Sequence, residues 1–141
     1  KKGEAVASLF PNDVVLSTDT IVCLDGKIYG KPKDRKDAYN TLATFSGMTH
    51  EVVSGVSIIS KKLNMTMYVK SYVTFKKLTK EMIDDYLKTD EPYDKAGSYA
   101  IQGEGRSLIE GYSGSLDNII GLPIEYIKDM LRVMLNEVEN R

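Results

Sequence analysis

The chain has 141 residues, 42% of them hydrophobic and 28% charged, with a formal net charge of −1. That length makes one domain with a real core, and the near-neutral balance argues against a nucleic-acid partner, which calls for a strongly basic footprint. No apolar run approaches the ~20 residues needed to cross a bilayer, no signal-peptide pattern opens the chain, and the lone Cys23 has no internal disulfide partner; a cytoplasmic protein with no membrane partner is expected.

Lys1 to Leu9 reads as the end of a helix, without a start signal ahead of it. Asp13 to Ser17 reads as a short, fully buried strand after Pro11-Asn12, and Thr20 to Leu24 as a second extended segment. Asp25-Gly26 is a hairpin signal with Lys27-Ile28-Tyr29 returning. Asp34 is placed to cap a helix carrying Ala38, Leu42 and Phe45 and stopping at Gly47. Glu51 to Ser60 and Met65 to Lys76 alternate as antiparallel strands, and Thr79 opens a helix through Leu87. A strand at Ser107 to Tyr112, a turn at Ser113-Gly114-Ser115 and a last helix from Pro123, with Ile127, Leu131 and Leu135 as its stripe, complete the chain. Parallel and antiparallel pairing are both implied, so the class is α/β to α+β with a mixed sheet.

Chemistry concentrates in Asp94-Lys95-Ala96-Gly97-Ser98-Tyr99-Ala100-Ile101-Gln102-Gly103-Glu104-Gly105. Three glycines in a dozen residues disfavour a helix and suit a loop that a ligand approaches closely. Lys95 supplies charge there and Gln102 an amide that donates and accepts. Asp19 follows the apolar run Val14-Val15-Leu16 at what reads as a strand end, a favoured place for ligand chemistry and equally for an Asp that satisfies turn amides. Lys31, between Gly30 and Pro32, reaches either a phosphate oxygen or only solvent. His50 reads as structural, hydrogen-bonded to the neighbouring turn, and Cys23 as a small core residue. One cysteine and one histidine do not build a zinc site of the usual type. Met130, Leu131, Met134 and Leu135 read as helix packing, with an exposed face available to a homodimer.

Taken in order, Ser17-Thr18-Asp19-Thr20, Gly30-Lys31-Pro32-Lys33-Asp34, Ser46-Gly47-Met48-Thr49-His50, the glycine-rich stretch and Gly121-Leu122-Pro123 form a set that resembles the Maf family. Its members are nucleoside triphosphate pyrophosphatases, also called septum-formation inhibitors. The resemblance runs from about Ala5 to Ile124 and departs from the pattern at Ser17-Thr18, where the family has Gly-Ala. It implies a Maf/ITPase-like fold, a central twisted sheet flanked by helices. It makes Asp19 the general base that activates water, places Lys31 and Lys95 at the phosphates, and puts Asp94 beside them as a metal contact. Thr20 and Gln102 match positions that select the base in the branch acting on dTTP and UTP, where an amide suits the imide edge of uracil or thymine. Hydrolysis of the phosphoanhydride calls for Mg²⁺ or Mn²⁺ held by carboxylates and substrate oxygens.

The family begins earlier, with a strand leading into a Ser-x-Ser-Pro-Arg-Arg loop, so the resemblance implies that this sequence lacks that strand and phosphate loop and binds nucleotide poorly by itself. The expected role is removal of surplus or non-canonical dTTP- and UTP-like nucleotides. The alternatives are 7-methyl-GTP specificity and a non-catalytic regulator of septum formation.

Overall fold

The computed structural model describes residues 2–139, with side chains through residue 136. Helix α1 (Lys2–Leu9) leads into β1 (Val15–Leu24); Lys1 lies outside the described residues. Strand β1 turns back through Asp25 and Gly26, both at positive φ (50° and 79°), into β2 (Lys27–Tyr29), the backbone that a two-residue hairpin of this twist requires.

Helix α2 (Arg35–Phe45) starts where expected, because the Asp34 carboxylate accepts the Asp37 amide at 2.8 Å and fills an otherwise unpaired donor. Its chain leaves through Gly47 at φ 67° into β3 (Thr49–Ile59), which pairs along its whole length with β4 (Asn64–Phe75). Thr79 caps α3 (Lys80–Leu87), accepting the Met82 amide. Three short 3₁₀ turns follow, at Glu91–Asp94, Ala96–Ser98 and Glu104–Leu108, before β5 (Ile109–Ser113), α4 (Leu116–Ile120) and α5 (Ile124–Glu139).

The five strands run in the order β2-β1-β3-β4-β5 with helices packed against them, as the α/β class requires. Among the described residues every pairing is antiparallel, where a mixed sheet was expected. Side-chain periodicity reports which residues form strands but not the direction in which a crossover returns them. The expected segments around Asp13–Ser17 and Thr20–Leu24 are one continuous strand. It is not fully buried either: Val14 and Leu16 are exposed, since only β3 flanks this part of β1. Ser17 and Thr18 sit in regular register opposite Ser57 and Val56, so the departure from Gly-Ala leaves the strand unbroken.

One sheet face carries two apolar clusters. Val22, Leu24, Val52, Val73 and Phe75 pack under α2, α3 and the 3₁₀ segment; Val56 and Ile58 pack under α5 through Ile127, Met130 and Met134. The stripe on α5 therefore runs 127-130-134, and the expected Leu131 and Leu135 are exposed. Between the clusters lies a polar seam of Thr20, Ser54, Ser71 and Asn118. Thr20 and Ser54 hydroxyls meet at 2.7 Å, and the buried Asn118 amide donates to the Val52 and Val69 carbonyls and to Ser71. Asn118 belongs to α4, a single turn in a stretch with no element expected from sequence; Ser115 caps it and Gly121, at φ 119°, ends it.

Candidate active site

At the Thr20 end of the polar seam a cavity of about 470 Å³ opens between the sheet, the α4 terminus and the glycine-rich segment. Thr20, Val22 and Val52 form its floor, Ile119 to Gly121 one wall, and Glu91, Asp94–Ala96 and Tyr99–Gly103 the other. Of the residues singled out from sequence, Thr20, Asp94, Lys95 and Gln102 come together here. The Thr20 hydroxyl is oriented by Ser54 and, at 3.4 Å, by the Gly121 carbonyl.

Asp19 and Lys31 are not among the lining residues. Asp19 does not sit at a strand end; it lies within β1, paired with Gly55, and alternation turns it to the face opposite Thr20. It is exposed there, in the same cross-strand row as Gly55 and Tyr68. Strand β2 pairs with only Val22–Leu24, and no described strand flanks β1 from Val15 to Ile21 on that side. Lys31 is exposed on the turn after β2, and the Gly97 amide donates to the Gly30 carbonyl at 3.2 Å, tying that turn to the Lys95 segment.

The glycines have steric reasons. Gly97 adopts φ 75°, where a β-carbon would come within 3.1 Å of Val22, and one on Gly105 would come within 2.5 Å of the Ala100 carbonyl. Gly103 packs directly on the Glu91 carboxylate. Glu91 escaped the sequence reading, although an acid ahead of Pro92 at the head of a glycine-dense segment was its visible signal. Its two oxygens accept the Tyr86 hydroxyl at 2.5 Å and the Glu104 and Gly105 amides at 3.0 and 2.8 Å.

His50 is structural, but its partner is not the neighbouring turn: its Nε2 meets the Tyr99 hydroxyl at 2.7 Å. The ring stacks on Phe45 at 4.3 Å and meets Phe75 and Tyr99 edge-on. Burial lowers its pKa from 6.5 to about 4, so it holds Tyr99 as a neutral ring. Cys23 is only half-buried and lies on the outward face, paired with Glu51, rather than in the core.

The model of the Maf-like protein family matches residues 1–134. The chain belongs to the Maf family. A Bacillus cytotoxicus protein named dTTP/UTP pyrophosphatase is 47% identical over 124 residues, which cover 88% of this chain and 65% of that protein. A Clostridioides difficile protein of the same name is 46% identical over 134 residues, covering 94% and 69%, and one from Acholeplasma laidlawii is 44% identical over 131 residues, covering 93% and 69%. The chain thus spans about two thirds of the length of the curated relatives it matches. Within this Maf domain the motifs read from sequence fall on β1, the α2 entry, the α2–β3 connection, the cavity wall and the α4–α5 connection.

Proposed function

We propose that this chain carries the catalytic machinery of a nucleoside triphosphate pyrophosphatase that cleaves dTTP and UTP between the α and β phosphates. The observation that carries the reading is the meeting of Thr20, Lys95 and Gln102 in one cavity of a size usual for small-molecule sites. The printed names of the relatives point the same way.

In this reading the base enters the cavity with its imide edge toward Gln102, whose carbonyl accepts N3–H and whose amide donates to a ring carbonyl. Thr20 closes the opposite side. Lys95 on the cavity wall and Lys31 on the turn tied to it neutralise the triphosphate oxygens. Asp19, next in the chain to Thr20, accepts the proton of the attacking water, so one carboxylate serves the reaction while its neighbour serves recognition.

A divalent cation fits the donor set only as a substrate-borne ion. Among the described residues no three His, Cys, Asp or Glu side chains converge on a common point, but Mg²⁺ is commonly held by one or two carboxylates together with substrate phosphates and water. Asp94, exposed at the cavity wall, would supply the carboxylate. Such an ion would offset the charge of the leaving pyrophosphate.

The test is pyrophosphate release from dTTP, UTP, CTP, dGTP and 7-methyl-GTP with Mg²⁺, using the natural polypeptide that contains these residues. Turnover strongly favouring dTTP and UTP over the other three is expected, falling roughly 10²–10⁴-fold in Asp19→Asn, the range for loss of a general base. No turnover across the panel, or full activity in Asp19→Asn, contradicts the reading.

A further inference from the structure

Among the described residues Gln102 has no hydrogen-bond partner that fixes its amide, and it is exposed on the cavity wall. An amide that donates and accepts pairs with uracil in one orientation and with cytosine when turned over. Discrimination between the two bases therefore depends on how firmly the segment bearing Gln102 is held against the rest of the cavity.

That segment is clamped at both ends by one pair of side chains. Before Gln102, the Tyr86 hydroxyl accepts the Ala100 amide at 3.2 Å. After it, Glu91 accepts the Glu104 and Gly105 amides. The two halves of the clamp are joined, because Tyr86 donates the same hydroxyl to Glu91 at 2.5 Å. The fit leaves no slack, since Gly103 and Gly105 have no room for a β-carbon against Glu91, Tyr86 and Ala100. Tyr86 is itself locked by the core at 5% exposure, and Pro92 fixes the backbone after Glu91.

We infer that Glu91 and Tyr86 are positioning residues for base selection: they hold residues 100–105 so that Gln102 meets a pyrimidine imide in one geometry. The inference rests on the pyrophosphatase reading above. Glu91 does this better than an amide would, because a carboxylate is acceptor-only and all three of its partners are donors. Glutamine at this place turns one oxygen into an NH₂ group facing another donor.

The experiment measures kcat/KM for UTP and for CTP in the natural polypeptide and in Glu91→Gln, Gln102→Ala and the double variant. Glu91→Gln is expected to lower the UTP/CTP ratio about tenfold, the equivalent of one hydrogen bond. In the Gln102→Ala background the same substitution is expected to leave the ratio within about twofold, because positioning acts only through the residue positioned. Tyr86→Phe, which removes one oxygen from the core and keeps the ring, repeats the measurement should Glu91→Gln fail to fold. An unmoved ratio, or an equal drop with and without Gln102, overturns the inference while wild-type turnover keeps the pyrophosphatase reading standing. Absence of wild-type turnover overturns both.

Discussion

At the residue scale, His50 shows how a titratable side chain is made into a spacer. Enclosed by Phe45, Phe75 and Tyr99 and at 1% exposure, it has no counter-ion within its aromatic cage. Its folded pKa of about 4 lies below the ordinary 6.5. Between those values the unfolded chain takes up the proton first, so stability is retained above pH 6.5 and drains away as pH falls toward 4. The full loss is roughly 3 kcal/mol, from about 1.4 kcal/mol per pH unit. Urea denaturation of the wild type and of His50→Phe at pH 7.5 and 4.5 checks this. The wild type is expected to lose about 2–3 kcal/mol more than the variant over that interval, and parallel losses would show that His50 does not titrate with unfolding. The sequence reading recognised His50 as structural but gave it the wrong partner. Tyr99 stands 49 positions along the chain, and no local pattern encodes a contact at that separation.

At the element scale, local signals proved the most legible. The Asp25-Gly26 hairpin and the caps at Asp34 and Thr79 each depend on a few neighbouring residues, and each formed where the residues say it should. Asp34→Ala removes the acceptor for the Asp37 amide and is expected to cost about 1 kcal/mol in chemical denaturation, whereas an unchanged midpoint would mean that the cap contributes nothing. Elements whose form depends on distant partners were less legible. Helix α4 is only five residues long, and its buried Asn118 answers to carbonyls on β3 and β4. The face of α5 is chosen by Val56 and Ile58, so Met130 and Met134 are buried while the equally apolar Leu131 and Leu135 are not. The 3₁₀ segment is intermediate. Its glycines point to a loop that a ligand approaches closely, whereas Gly97, Gly103 and Gly105 are crowded by Val22, Glu91 and Ala100, contacts that become visible only once the loop is folded.

At the scale of the whole molecule, the arrangement turns on one strand. Strand β1 carries Asp19 on its outward face and Thr20 over the cavity, one residue apart, and beyond its short pairing with β2 its outer edge is unpaired among the described residues. The order of motifs in the sequence made it possible to list both residues as site residues; strand alternation then separates them, which a list of motifs does not convey. In the proposed reading the base occupies the cavity and the phosphates extend from it toward the Asp19 side of β1. A crystal structure of the natural polypeptide with a non-hydrolysable UTP analogue and Mg²⁺ tests this most directly. The expected result is a uracil ring between Thr20 and Gln102, with the triphosphate passing Lys95 toward Asp19. A base stacked instead on the exposed Tyr68 of the outward face, with the cavity empty, would contradict it.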